Sequence, residues 1–344
     1  MISNIVKRTI FMVCAASTLF FQQAYGQEGE LTEYLKAGKA DANNLIGAYV
    51  SPLVEGLSYG LNGGWYHTAK AHKTLGIDIG VSVNAVFVPT SKLTFDPAAV
   101  LGPNATVEPV PANAKASTFI GPSGKTEYRL KQDHSVTFNG PEGIDLKGNI
   151  GMNVVPAATA QIGIGIWKNT DIKFRYMPEV TLSETKLKMI GFGVMHDIKQ
   201  HIRAIKLLPF DLSVVAGYTR LSGTTGLEGN FDKPANDQRR QEMTYEMNAL
   251  LIQALISKKL SVLTFYGGLG YNTISTKVNV VGSYEIVDGD ANSVLKDPFG
   301  VKYKNSSFRA TAGMRLKLGP IYLNGDYSFQ EYSTLSVGLG VTVR

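Results

Sequence analysis

The final stretch, residues 332–344, alternates with a period of two: Leu335, Val337, Leu339, Val341 and Val343 fall on one face, and Thr334, Ser336, Gly338, Gly340, Thr342 and Arg344 on the other. That is a strand with one apolar side. The same alternation recurs at 75–87, 154–167, 307–318 and 321–329, and more weakly at 57–65, 172–180, 185–195, 210–219, 245–256 and 260–273. Repeated segments of about ten residues with alternating polarity are what a transmembrane β-barrel looks like in sequence.

The ends and the composition agree with this. Lys7 and Arg8 precede an apolar run at 9–21 and the small-residue site Ala24-Tyr25-Gly26, so residues 1–26 read as a secretory signal peptide and the mature chain starts at Gln27. Cys14, the single cysteine, lies inside that run and leaves with it, which removes disulfides and thiolate chemistry from the mature chain. Beyond the signal there is no apolar run of about eighteen residues, so a membrane could be crossed only by a closed barrel, in which every backbone polar group is paired. The net charge of +6 falls to +4 without Lys7 and Arg8, and it is scattered, which argues against a nucleic-acid partner.

The strand segments number eleven. Single-chain bacterial barrels have even counts, so the expectation is an all-β antiparallel transmembrane barrel of 12 to 14 strands, with segments 126–130 and 135–138, or one before residue 57, making up the difference. Connections at 68–73, 168–170, 257–259 and 319–320 are short, whereas those at 89–150, 222–241 and 287–305 are long. Short turns belong on the periplasmic side, long loops outside. Between His196 and Pro209 the turn reads as a short helix, with Ile198, Ile202 and Ile205 opposite Lys199, Arg203 and Lys206.

Ahead of the barrel (55–344, with its long loop 90–150), segment 27–54 reads as two short helices, 31–38 and 41–53. In the second, Leu45, Ile46, Tyr49, Val50 and Leu53 form an apolar stripe after Asp41 as N-cap. The stripe has to be buried, either in the lumen as a plug or against the periplasmic rim.

The chain resembles an uncharacterised family of Bacteroidota outer-membrane β-barrels. The residues that carry this are Ala48-Tyr49-Val50-Ser51-Pro52, Gln161-Ile162-Gly163-Ile164-Gly165 with Arg175-Tyr176-Met177-Pro178, and 193–200 leading into Leu208-Pro209-Phe210-Asp211-Leu212. In architecture alone it is similar to the long-chain fatty-acid transporter barrels, whose N-terminal segment plugs the lumen. The resemblance implies an outer-membrane location, with membrane lipids and the barrel-assembly machinery as partners.

Face assignment puts Asp78, Lys173, Arg175, Glu179, Asp211, Arg309, Arg315, Lys317 and Asp326 in the lumen, where mixed charges either pair across it or line a pore. His196 and His201 are five residues apart, which does not place them on one helical face, and no metal site is expected. Asp288, Asp290 and Asn292 begin like a calcium loop, but Phe299 stands where the closing carboxylate belongs. Asp133-His134 is a polar loop pair, and no catalytic set or cofactor motif emerges. The leading expectation is a non-enzymatic outer-membrane channel or transporter for a small, apolar solute, its lumen occluded by the N-terminal segment. The alternative is a structural or partner-binding barrel with a sealed lumen.

Overall fold

The computed structural model describes residues 33–182, 185–226, 241–288, 291–297 and 299–343. The expected signal peptide with Cys14, and Asp290 and Arg344, lie outside these residues. Ten strands close into a barrel: β1 Ile77–Phe87, β2 Val154–Ile166, β3 Thr170–Leu182, β4 Thr185–Asp197, β5 Asp211–Gly226, β6 Glu242–Leu260, β7 Leu263–Val281, β8 Phe299–Leu318, β9 Ile321–Phe329 and β10 Thr334–Val343. Each pairs antiparallel with its neighbour in sequence, and β1 also pairs with β10, Ile77 opposite Val343, which leaves no free edge.

The expected 12 to 14 strands are corrected to ten. Of the eleven alternating segments, ten are barrel strands and the eleventh, 57–65, is the end of a helix and the chain that follows it. The even-number rule required removing a segment, not adding one. The hairpin expected near 126–138 does form, as Glu127–Leu130 with Thr137–Asn139, but it joins Val107–Val110 in a separate three-stranded sheet. That sheet, the pair Thr94–Phe95 with Ala116–Ser117, and the short helices Pro97–Leu101 and Leu146–Ile150 build a cap from the long β1–β2 connection.

Outward residues of the barrel are apolar and exposed, among them Ile79, Ile164, Phe192, Ile252, Leu269, Phe308, Leu323 and Leu339. Inward residues between them are mostly polar and buried, among them Ser82, Asn84, Thr159, Thr219, Gln253, Asn272, Thr311, Ser328 and Ser336, with an apolar cluster at Met195, Val215, Leu251 and Leu255. An apolar exterior over a polar interior is the reverse of a water-soluble fold. Toward the long-loop end of β6, β7 and β8 the phase inverts. There Met247, Ile274, Val278 and Phe299 point inward and are buried, while Glu246, Lys277, Lys302 and Lys304 point outward. This inversion hid the outer ends of β7 and β8, residues 274–281 and 299–306, from a search for alternating apolar residues.

The turn between β4 and β5 is not the expected amphipathic helix. It holds two 3₁₀ turns, Lys199–His201 and Arg203–Ile205, with Ile202 and Leu207 exposed.

The N-terminal segment is one helix, α1 (Gly38–Gly60), preceded by a 3₁₀ turn Tyr34–Ala37, rather than two short helices. It runs through Pro52, which cannot donate to the Ala48 carbonyl. Ser51 Oγ donates to that carbonyl instead, at 3.3 Å. Asp41 is not an N-cap; its carboxylate accepts from Thr106 N and Oγ1, both at 2.7 Å, tying the helix to the cap.

Inside the wall, Gly80 and Gly340 face each other in register beneath the Tyr322 ring. A Cβ on Gly340 would lie 2.5 Å from Tyr322 Cζ and 2.6 Å from the Ile79 carbonyl oxygen. Since backbone cannot yield as a flexible side chain does, Gly340→Ala should lower the stability of the detergent-solubilised barrel by about 2 kcal/mol. Chemical denaturation measures this, and an unchanged midpoint would contradict the packing.

Candidate functional site

The chain from Tyr34 to Lys73 enters the barrel from the long-loop end and descends to the short-turn end, where β1 begins. In its upper part, Leu45, Ile46, Tyr49 and Val50 are buried and Leu53 is half-buried in one core with the cap and the inverted ends of β6–β8. Tyr49 shows how the helix is held: its hydroxyl donates to the Glu142 carbonyl at 2.8 Å, and its ring meets Phe119 edge-on at 5.9 Å. Near the β9–β10 turn, Tyr332 donates to Glu55 at 2.7 Å and stacks on Tyr59 at 5.1 Å. Surface ion pairs tie the cap to itself. Arg129 holds the Glu108 carboxyl below its usual range, and Lys115 does the same for Asp96, so these links persist above that range and are lost as pH falls.

Below α1 the chain turns at 61–64 and then runs without regular structure; Trp65, Tyr66 and Ala69 pack with Met195, Val215, Leu251 and Leu255, and the other contacts are polar. Helix end and bare backbone leave the carbonyls of Leu61, Asn62 and Gly63 without intrahelical partners. Arg175, fully buried on β3, donates to Leu61 O and Gly63 O, both at 2.7 Å, and to Gln161 Oε1 at 3.2 Å. From the opposite wall, Arg309 on β8 donates to Asn62 O at 3.2 Å. The guanidinium of Arg175 also lies 3.7 Å over the Trp65 ring. The other face of that indole rests on two glycines paired in register, Gly193 and Gly217, where a Cβ would come within 2.6 Å of the ring. Only glycine leaves that room.

Further down, Arg315 Nη1 lies 3.0 Å from His67 Nδ1, and His67 Nε2 lies 3.2 Å from Asp78 Oδ2. A guanidinium only donates, so Nδ1 accepts and the ring proton sits on Nε2, facing the carboxylate. Tyr322 donates to the other Asp78 oxygen at 3.1 Å. At the short-turn rim, Ser213 Oγ donates to Ala69 O, Ser257 Oγ accepts from Ala69 N, and His72 bridges Asp171 and Thr342.

Of the sequence-predicted lumen residues, Asp78, Lys173, Arg175, Arg309, Arg315 and Asp326 are buried inside the barrel. Asp211 and Lys317 are half-buried at the short-turn rim. Glu179 is not in the lumen: a bulge between Met177 and Val180 shifts the register, and its side chain is exposed. Sequence reading missed Asp171, which shares the Lys173–Arg175 face but precedes the expected strand start by one residue. It also missed Trp65 and His72, which fell in a supposed strand and turn, and His67, which lay between the two. His196 and His201 do meet, Nε2 to Nε2 at 3.0 Å, because the segment is not an α-helix. Among the described residues no three His, Cys, Asp or Glu side chains cluster as a metal site. Asp133 accepts from Ser135 rather than pairing with His134, and Asp288 lies in the hairpin Ser283–Asp288 with Ala291–Lys296.

A family model described as "Family of unknown function (DUF6588)" matches residues 5–343. No curated protein matches the chain. Among solved structures it is similar to Ail, the attachment invasion locus protein of Yersinia pestis, at 6% identity over 78% of this chain and 99% of that one, TM-score 0.28. The translocator domain of the autotransporter NalP from Neisseria meningitidis gives 12% identity over 85% and 93%, TM-score 0.25. The copper transporter OprC gives 8% identity over 76% of this chain and 38% of that one, TM-score 0.28.

Trp65 and Trp167 are the two tryptophans, and Trp167 is exposed, so Trp167→Phe leaves Trp65 as a reporter of the interior segment. In that background Arg175→Met should remove three charge-assisted hydrogen bonds, two of them to the interior segment, cost about 3 kcal/mol and shift Trp65 emission to longer wavelength. Unchanged emission and unfolding midpoint would show that Arg175 does not hold the segment.

Proposed function

We propose that this chain, which belongs to the DUF6588 family, spans an outer membrane as a ten-stranded barrel whose lumen is sealed by its own N-terminal segment, and that it acts through its outer cap as a structural or partner-binding barrel. The apolar outward girdle over a polar interior supports the membrane. With short turns at one end and the cap at the other, the short-turn end faces the periplasm. No helix among the described residues is long and apolar enough to cross, so the strands do the crossing.

The observation that carries the sealed reading is the pair Arg175 and Arg309 clasping the Leu61–Gly63 backbone from opposite walls. A water-filled pore has no need to spend its wall cations on a backbone that blocks it. The cap, an ordered layer packed on α1 rather than a loose loop, is then the surface through which a partner is met.

A second reading, a gated conduit for a small solute, has its own support. The wall behind the segment is hydroxyl- and amide-lined, and the Asn62 side chain and Trp65 Nε1 are buried without a hydrogen-bond partner. A segment so held costs less to withdraw than its other hydrogen bonds alone would require.

Planar-bilayer recording tests the proposal with the mature chain and a version lacking residues 27–73. The sealed reading expects silence from the mature chain and conductance from the truncated one. Conductance in the mature chain would contradict it, and brief openings coupled to Trp65 exposure would favour the conduit.

A further inference from the structure

Around the barrel, the outward face changes character at one level on the long-loop side. On β4 the order toward that end is Phe192, Ile190, Lys188, Lys186; on β5 it is Tyr218, Arg220; on β7 Leu269, Tyr271, then Lys277; on β8 Phe308, then Lys304 and Lys302. Apolar and aromatic residues give way to cations on four strands of one wall. The opposite wall, β9, β10, β1 and β2, carries no charged residue on its outward face.

The cations are crowded. Lys277 and Lys302 are direct cross-strand partners, and Lys304 lies two residues further along the same face of β8. Like charges directly opposite repel. Glu246, opposite Lys277, is the nearest acid in register; it pairs with Arg220 at 2.5 Å, accepts from Asn248 at 3.1 Å and attracts Lys277, so this single carboxylate faces Arg220 and the lysines together. Side chains of Lys188, Lys277, Lys302 and Lys304 are exposed. A cluster of this kind, standing directly above an apolar surface, matches an amphiphile that is anionic at its head and hydrocarbon below.

We propose that the β5–β8 wall is a seat for a lipid of the outer leaflet whose phosphate leaves its head with a net negative charge, that phosphate held by Lys277, Lys302 and Lys304 and its chains lying on Tyr271, Leu269 and Phe308. The proposal rests on the membrane reading above. It assigns the occupant by charge complementarity and by the continuity of the cation row with the apolar girdle.

The test is native mass spectrometry of the full mature chain, released from vesicles of phosphatidylcholine mixed with phosphatidylglycerol, with retained lipid counted. The wild-type chain should retain phosphatidylglycerol in preference to phosphatidylcholine. Each surface cation contributes about fivefold in affinity, so Lys277→Gln/Lys302→Gln/Lys304→Gln should weaken retention about a hundredfold. The corresponding triple Arg variant should keep it, as should Lys131→Gln/Lys147→Gln on the cap. Equal retention by the wild-type and triple Gln chains, or displacement of the lipid by an excess of inorganic phosphate, would overturn the seat while leaving the membrane reading intact. Failure of the chain to insert into vesicles would overturn both.

Discussion

The structure depends on finding hydrogen-bond acceptors for arginines that the wall turns inward. A strand whose outward residues meet an apolar surroundings must, by its period of two, send its other residues into the barrel. On β3 and β8 those residues include Arg175 and Arg309, whose guanidiniums cannot be neutralised by losing a proton. Ten strands enclose a space too narrow to leave such groups in bulk water once a helix enters from above. The carbonyls of Leu61, Asn62 and Gly63, orphaned where α1 ends, supply the acceptors. Barrel wall and interior segment therefore satisfy each other, and each would carry unpaired polar groups without its partner.

The same reasoning explains why the barrel is built in two storeys. In the lower one the outside is apolar and the inside mostly polar apart from the cluster around Trp65, and the interior chain has no regular structure of its own, so its backbone can bond to the wall. In the upper one the outside of the β4–β8 wall is charged and the inside apolar, because Val301, Ile274 and Val278 join the stripe of α1 in one core. Gly47 lies against Val301, and the Gly47 carbonyl accepts from Tyr303 at 2.6 Å, so the helix and β8 approach closely at that level. On the membrane reading proposed above, the flip between storeys falls where hydrocarbon gives way to water.

Strand alternation was legible wherever the outer face was apolar, which is why ten segments emerged at nearly their true positions. The apolar stripe of α1 was legible too, down to the five residues that pack in the upper core. Two features were not. The inverted strand ends lack outward apolar residues, so β8 appeared to start at Ser307 instead of Phe299. The interior run from Asn62 to His72 has no periodicity of its own, since its contacts are set by distant strands, and its glycines and aromatics mimicked a weak strand. Asp171 and Glu179 show how finely the face assignment depends on register: one was lost to a late strand start, the other misplaced by a bulge.

The central claim is that residues 61–72 are fixed inside the wall. Hydrogen–deuterium exchange on the full mature chain in lipid nanodiscs measures this directly, because amides bonded within a packed interior open only with the structure around them. The account predicts that peptides covering 61–72 exchange as slowly as those from β3 and β8, which grip them. Exchange as fast as that of an exposed loop, with the strands still protected, would show that the segment does not occupy the lumen and would contradict the account.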